Sequence, residues 1–274
     1  RHTDFPVGAA SGLKGTVRSW FRAHDDAGHD DKRYAAFGPD TANASDHAGA
    51  VAFTDARLLL FPVRAMKGVF AWTTCPTILN RLRRDLDAAG RDVSWTVPEP
   101  GDDQALGTES NVNESGNEIL LEENYFSYRP STAVQEIADW LRQSTLPPTD
   151  AYAYWRDSAD QRLLVLNDDA FRDFVRHTTE VQARVKLNED GTTGEGGNLF
   201  YQENVPCDTL FYALVLAQDD LSGRLNGSGS ASDLLDYVRR LHGRRLQIGG
   251  DASVGRGRTY VHFLDAHLKT NASS

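Results

Sequence analysis

Residues 11–18 combine glycines with cations at a helical spacing. The run Ser11-Gly12-Leu13-Lys14-Gly15 opens a stretch in which Lys14, Arg18 and Arg22 recur every four residues. The first N–H groups of a helix and the positive end of its dipole attract an anion, and glycines let a phosphate approach the backbone. The segment therefore predicts a phosphate contact, with Ser11 as the N-cap. A capped amphipathic helix with solvated cations is the alternative interpretation.

A second run, Gly249 to Gly257, reads GGDASVGRG and lies between two predicted strands. Four glycines and an arginine form a loop whose amides can surround an extended polyanion. The run lacks the lysine and hydroxyl pair that ends a P-loop, and its spacing does not match a dinucleotide fingerprint. Two interpretations stay open. Gly255, Arg256 and Gly257 contact a polyanion, or the run is a tight hairpin that needs positive φ angles.

A third run, Val63 to Trp72, interleaves Arg64 and Lys67 with aromatic residues. Arginines and aromatic rings offer stacking surfaces for unpaired bases. Core packing is the alternative for Phe70 and Trp72.

Other reactive residues lack a usable arrangement. Glu122 and Glu123 are neighbours, so on a strand they point to opposite faces and cannot act as a paired acid and base. Cys75 and Cys207 lack metal-ligand spacing and suit a reducing cytoplasm. The histidines of residues 24–49 could bind a metal, but solvated polar residues are the favoured interpretation. No glycine pattern signals a nucleophile elbow.

The composition is typical of a folded protein, with 40% hydrophobic residues in 274. The formal net charge of −10 argues against a simple nucleic-acid binder. The acidic residues crowd into predicted loops, whereas arginines cluster around ordered segments, so a local positive groove remains possible. No apolar run approaches the roughly 18 residues that cross a bilayer.

Helical and strand patterns alternate along the chain. Apolar periodicity predicts helices over residues 11–23, 76–89, 132–143, 169–177 and 231–242. Strands are predicted within residues 50–63, 119–128, 180–187, 208–217, 245–248 and 258–264. Residues 24–49 are predicted to form a mobile loop, and residues 92–118 an insertion loop. Few strand–helix–strand units are short enough for a regular parallel sheet, so an α+β domain with long insertions fits better.

Residues 180–187 alternate strictly between apolar and polar side chains, which predicts a half-buried strand. A turn-rich segment follows and leads into residues 198–203, so a long hairpin is expected here.

Together these segments resemble one family. Thr3 to Val7 followed by Ser11 to Arg18 looks like the RAMP signature, in which a Ser-x-x-Lys-Gly-x-x-Arg helix follows a proline. The run Asp55 to Trp72, continuing to Pro76, is similar to the repeated backbone subunits of the Cmr complex, the type III-B CRISPR effector. Leu199 to Thr209 and Leu246 to Gly257 match later motifs of the same subunits in the same order.

The resemblance implies a ferredoxin-like (RRM-like) palm with a β-hairpin thumb, for which residues 180–210 are the candidate. It implies a cytoplasmic filament of identical subunits along a guide RNA, together with other type III effector subunits. Family members hold guide RNA through the Ser-x-x-Lys-Gly helix and the glycine-rich loop. They cut complementary target RNA with a divalent metal, Mg or Mn. No contact with a membrane is expected.

One departure from the family concerns catalysis. The aspartate credited with cleavage lies in a segment that would precede Arg1, so residues 1–274 are expected to form one RAMP domain that lacks its first strand. Glu203, in the stretch Gln202 to Pro206, is then the remaining catalytic candidate, and the metal ligands are unknown. Whether this chain cleaves RNA stays open. A purely architectural guide-RNA-binding subunit is the main alternative, and a small-molecule enzyme that binds phosphate through residues 249–257 is a third.

Overall fold

The computed structural model describes residues 3–26, 29–40, 46–185, 199–225 and 229–264. The chain divides into two compact units. Unit 1 contains the residues up to Pro6 together with Leu58–Asp139 and Asp157–Phe211. Unit 2 contains Val7–Arg57, Trp140–Arg156 and the residues from Tyr212 onward.

Runs of helices and runs of strands follow one another along the chain, as in an α+β protein. Within the described ranges the α-helices are α1 (Ala10–His24), α2 (Asp30–Phe37), α3 (Pro76–Ala88), α4 (Thr132–Ser144), α5 (Ala153–Arg162), α6 (Asp168–His177) and α7 (Ala231–Arg239). The strands are β1 (Val7–Gly8), β2 (Val51–Phe53), β3 (Ala56–Arg64), β4 (Phe70–Thr74), β5 (Gln104–Gly107), β6 (Glu118–Leu121), β7 (Asn124–Pro130), β8 (Leu163–Val165), β9 (Glu180–Val185), β10 (Leu199–Asn204), β11 (Leu210–Tyr212), β12 (Val215–Ala217), β13 (Arg245–Gln247) and β14 (Arg258–Tyr260). No helix among these combines the length and apolarity that a bilayer crossing demands.

Unit 1 is built on a mixed sheet in the order β3-β4-β8-β5-β7-β6. The β4–β8 and β5–β7 pairs are parallel, and the other neighbours are antiparallel. The sheet curls, because the chain just after β3 bonds back to the last strand: the Met66 N–H donates to the Leu120 carbonyl at 3.0 Å, and Ala65 bridges Leu121. The result is a half-barrel in which β6 bonds to the β3–β4 turn.

Aromatic and aliphatic side chains cover this sheet. Leu60 and Phe61 on β3 and Trp72 on β4 are almost completely buried. Helix α6 contributes Phe171 and Phe174, and the ring of Phe174 lies 6.0 Å from that of Phe126 on β7.

Unit 2 has its own core, in which α1, α2 and α7 pack around the short strands. Phe21 of α1 is fully buried and stacks on Tyr237 of α7 at 4.3 Å. The β2–β12 and β13–β14 pairs are antiparallel. This core fixes the position of α1 and of the loop between β13 and β14.

Several predicted elements need correction. Residues 24–49 contain α2, whose buried face of Ala35, Ala36 and Phe37 is short enough to escape a periodicity test. Residues 92–118 contain β5, a strand of the sheet, so the prediction of a loop throughout is wrong. Residues 119–128 include a turn between β6 and β7, and residues 208–217 hold two short strands. Helix α5 and strands β4 and β8 were not predicted.

The hairpin of β9 and β10 forms as the alternation predicts, with six paired residues from Glu180↔Asn204 to Val185↔Leu199. The central part of the expected turn lies outside the described residues. The prediction that β9 is half-buried is wrong, since Val181 is 61% and Val185 46% exposed. Period-two alternation shows that a strand has an apolar face; it does not show that anything within the chain covers it.

Candidate nucleic-acid interface

The start of α1 is already bonded to a carboxylate of the same chain, that of Asp55. The helix begins at Ala10, and the Ala10 N–H donates to the Asp55 carboxylate at 2.8 Å. Ser11 is therefore not the N-cap, and it lies exposed in the first turn. Because a carboxylate takes one of the unpaired N–H groups and offsets the dipole, this helix end is less open to a phosphate than the sequence suggested.

The glycines of α1 leave its outer face bare. Gly12 and Gly15 are exposed one turn apart, and a Cβ at either position would meet nothing within 4 Å. Packing within this chain therefore does not require glycine there. A glycine in a helix costs roughly 0.5–1 kcal/mol relative to alanine. A close approach by a ligand or another chain would explain why that cost is tolerated.

Lys14 and Arg18 of α1 both have partners within the chain. The Lys14 ammonium donates to the Val51 carbonyl at 2.9 Å, and Arg18 pairs with Asp40 at 2.8 Å. Burial, and to a smaller extent the charge of Arg18, lowers the pKa of Lys14 from its ordinary value. The pair with Asp40 is partly solvated, with 29% and 53% of the two side chains exposed, so it contributes little and can be exchanged for a phosphate.

The loop from Gly249 to Gly257 combines two kinds of glycine. Gly257 has a φ of 67° and its Cβ would lie 2.0 Å from the Ile248 carbonyl, so the fold itself requires glycine. Gly255 has a φ of 81° but open space around it. The Gln247 side chain braces the loop from inside by donating to the Arg256 carbonyl at 2.8 Å. The tight-hairpin interpretation is thus supported for Gly257, whereas Gly255 leaves an accessible backbone.

The β3–β4 turn, residues 64–70, is held rigidly by the polar stretch that precedes β6. Asn113 is 2% exposed and donates to the carbonyls of Lys67 and Phe70 at 2.6 and 3.0 Å. The guanidinium of Arg162 donates to the Gly68 carbonyl and lies 5.0 Å from the Phe70 ring centroid. Sequence reasoning missed both clamping residues, since nothing in an isolated asparagine or arginine marks its distant partner.

The two predicted cations of this turn point outward. Arg64 is 70% exposed and pairs with Glu122 at 2.8 Å, and Lys67 donates to the Glu114 carbonyl at 2.6 Å. Trp72 is buried and donates to the Asp208 carbonyl at 2.9 Å, so core packing is the correct interpretation for this ring.

The β9–β10 hairpin presents one apolar face that carries a single carboxylate. Its register places six side chains on this face, namely Val181, Ala183, Val185, Leu199, Tyr201 and Glu203. Tyr201 is 70% exposed, and Glu203 accepts a hydrogen bond from the Thr179 hydroxyl at 2.8 Å. A planar ring beside an oriented carboxylate can stack on a base and approach a ribose or phosphate.

The described residues do not form a metal site. Within those ranges, no group of three or more His, Cys, Asp or Glu side chains could hold an ion. Glu203 supplies one carboxylate, which does not complete a divalent-metal shell of six or more oxygen ligands.

The structure divides the predicted residues between its two units. Unit 2 contains the α1 group of Ser11, Gly12, Lys14, Gly15 and Arg18, and the loop group of Gly255, Arg256 and Gly257. Unit 1 contains Arg64, Lys67 and Glu203. Each unit thus presents accessible backbone, aromatic or cationic groups of the kind that contact a polyanion.

A family model described as the RAMP superfamily matches residues 1–260. The chain therefore belongs to the RAMP superfamily. Within it, the chain is 34% identical over 261 residues to the CRISPR system Cmr endoribonuclease Cmr4 of Pyrococcus furiosus, covering 94% of this chain and 83% of that protein. The solved structure of oligomeric Cmr4 from Pyrococcus furiosus superposes with a TM-score of 0.73 at 30% identity, covering 96% and 88% of the two chains. A chain of the type III-B Cmr-beta complex bound to cognate target RNA shares the fold, with a TM-score of 0.69 at 18% identity and coverage of 95% and 85%. The predicted α+β RAMP fold is confirmed.

Proposed function

We propose that this chain is a guide-RNA-binding backbone subunit of a type III CRISPR ribonucleoprotein in antiviral defence, and that its complete assembly cleaves complementary target RNA. The observation that carries the proposal is the 34% identity to a Cmr endoribonuclease over 94% of the chain. Its partners would be guide RNA, target RNA, further copies of itself and other type III effector subunits in the cytoplasm.

The guide-RNA contacts are assigned to groups that the fold leaves accessible. On α1, the bare face of Gly12 and Gly15 adjoins Lys14 and Arg18, so a phosphate can reach the backbone and two cations together. In the loop, the exposed backbone at Gly255 offers a second contact. Because each subunit would cover only a short stretch of RNA, a net charge of −10 is compatible with such local contacts.

The β9–β10 hairpin is assigned the role of the thumb. Its apolar face is left exposed at Val181, Leu199 and Tyr201. Exposed apolar patches mark interaction sites, and rings stack on bases of any sequence. We therefore place the guide–target duplex against this face.

Cleavage is assigned to the complete assembly, with Glu203 as the contribution of this chain. The Thr179 hydroxyl orients its carboxylate, which could accept a proton from a ribose 2′-hydroxyl or stabilise a group that does. A divalent ion is part of the proposal through the resemblance alone. The described residues do not provide its ligands, so no catalytic step is derived through it.

A second candidate function is a purely architectural subunit that binds guide RNA without cutting. The observation in its favour is that the described residues lack a metal-binding cluster.

Co-purification tests the shared part of these proposals. The chain expressed with a CRISPR RNA should retain RNA of defined length and form assemblies whose size grows with guide length. Recovery of monomers without RNA would contradict both functions and favour the small-molecule alternative. Regularly spaced cuts in a complementary RNA, with magnesium or manganese present, would then separate the nuclease from the architectural subunit.

A further inference from the structure

A cleft in unit 2 lies at the C-terminal end of α1, away from the helix start. Its walls are Trp20 and His24 from the last turns of α1, and Arg240 and Arg244 from the segment after α7. Its volume is about 330 Å³, at the lower end of the range for small-molecule sites. None of its residues belongs to the interface assigned above.

One wall of this cleft is a fixed pair of rings. The indole of Trp20 and the imidazole of His24 stack with centroids 4.4 Å apart and planes 10° apart. The Nδ1 atom of His24 lies 2.9 Å from the Trp20 carbonyl oxygen. Since a carbonyl only accepts, Nδ1 carries the hydrogen and donates, and this bond sets the orientation of the imidazole. Trp20 in turn packs edge-on against the buried ring of Phe21 at 5.1 Å.

A fixed guanidinium, that of Arg240, also lines the cleft. Arg240 donates to the Asp25 carboxylate at 2.7 Å, and that carboxylate is only 1% exposed. Tyr237 donates to the other oxygen of Asp25. The Arg240 guanidinium also lies about 5.5 Å from the ring of Phe21. Its position is therefore set before any ligand arrives, and its charge is balanced by Asp25.

Arg244 supplies the uncompensated charge. Within the part of the chain that the structure describes, its guanidinium has neither an ion pair nor a hydrogen bond. With Arg240 balanced by Asp25, the described side chains of the cleft carry a net charge of about +1 beside a flat aromatic surface.

We propose that this cleft binds one nucleotide, with the phosphate on Arg244 and Arg240 and the base against the Trp20–His24 pair. Guanidinium groups match phosphate oxygens in a planar, bidentate geometry, and aromatic rings stack on any base. A carboxylate ligand would leave the rings uncovered, and a neutral aromatic ligand would leave Arg244 unpaired. A phosphodiester carries one negative charge and balances the cleft, so a nucleotide within an RNA strand fits better than a free one. The proposal is independent of the guide-RNA contacts on α1 and the glycine-rich loop.

Titrating the whole chain with AMP, adenosine and ribose 5-phosphate separates recognition of the base from recognition of the phosphate. If base and phosphate are both recognised, AMP binds at least about tenfold more tightly than either fragment. Equal binding of ribose 5-phosphate and AMP would reduce the cleft to an anion site and overturn the proposal. A short single-stranded oligoadenylate identifies the source: tighter binding than AMP indicates RNA, and weaker binding indicates free nucleotide.

Variants then locate the binding. Arg244→Gln should weaken the binding of AMP about tenfold or more. His24→Ser removes a ring at an exposed helix end. It should weaken the binding of AMP about fivefold and leave the binding of ribose 5-phosphate unchanged. Arg22→Gln, an exposed arginine of the same helix outside the cleft, is the matched control and should have no effect. Undiminished AMP binding by Arg244→Gln would overturn the assignment. The Lys14 and Arg18 variants test only the guide-RNA contacts of the proposed function. Their effect on RNA binding therefore neither supports nor contradicts the nucleotide site in the cleft.

Discussion

The carboxylate of Asp55 caps α1 by accepting the Ala10 N–H at 2.8 Å. Forty-five residues separate the two partners, and Asp55 begins the run Asp55 to Arg64 that resembles the Cmr backbone subunits. This aspartate therefore has a structural role that does not depend on RNA. It also moves the expected phosphate contact from the helix start to the side of α1.

Replacing Asp55 with alanine should destabilise the chain, because the first turn of α1 loses its acceptor. A lost N-cap acceptor costs about 1 kcal/mol. Urea unfolding at neutral pH would measure the change. Asp55→Asn, which can still accept the hydrogen bond, should lower the free energy of unfolding by less than Asp55→Ala does. Equal loss from both substitutions would show that charge, and not capping, explains the effect.

Removing Lys14 and Arg18 together should make RNA binding less sensitive to salt. Each lost phosphate contact reduces the slope of log affinity against log salt by about 0.7 for single-stranded RNA. Filter-binding titrations over a range of salt would give the slope. The matched control is Arg172→Ala with Arg176→Ala, which removes two exposed cations at the same helical spacing from α6. An unchanged slope in the Lys14 and Arg18 variant would contradict the assignment.

Gly255→Val should weaken RNA binding more than folding. The position has a φ of 81° and open surroundings, so the substitution adds backbone strain and places a branched side chain over an exposed stretch of backbone. Gly223→Val is the matched control, with a φ of 68° and equally open surroundings. Thermal melting should show similar losses for both variants, and RNA affinity should fall only for Gly255→Val. Equal affinities would support a role in the turn alone.

Glu203→Gln should slow target cleavage in the assembled ribonucleoprotein without releasing RNA. Loss of a proton-transferring or orienting carboxylate costs at least about a hundredfold in rate. Single-turnover cleavage of a complementary RNA with magnesium or manganese would measure it. Glu180→Gln, on the opposite face of the same hairpin, should cut at the normal rate. Full activity of Glu203→Gln would exclude a catalytic role for this carboxylate.

Tyr128 should make the fold less stable at alkaline pH. Burial, aided by the charges of Glu114 and Glu109, raises the pKa of Tyr128 to about 12 from 10.0. A group whose pKa is higher in the folded protein than in the unfolded chain contributes its full stabilisation at pH values below the unfolded-state pKa. This contribution is lost as the pH rises through the folded-state pKa. The urea midpoint should therefore fall above pH 10, and Tyr128→Phe should reduce that fall. Tyr125→Phe is the control: the ring of Tyr125 is 67% exposed, so this substitution should leave the fall of the urea midpoint unchanged.

The amino-acid sequence by itself determined the local elements and the family. The periodicities of α1, α3, α6 and α7 predicted helices, because each has an apolar stripe that its own unit buries. The ordered runs from Ser11 to Arg18 and from Asp55 to Trp72 sufficed for the RAMP resemblance. These features depend on residues that are close together in the chain.

Only the tertiary structure decided what the candidate residues do. Asp55 caps a distant helix, Asn113 holds the turn that carries Lys67, and Gly257 is required by the Ile248 carbonyl while Gly255 is not. It also showed that the apolar face of β9 stays exposed. Each outcome depends on a partner that the fold brings from elsewhere in the chain, or on the lack of a cover. Sequence spacing encodes the period of a helix or strand, whereas the distance between remote atoms is set by how the elements pack.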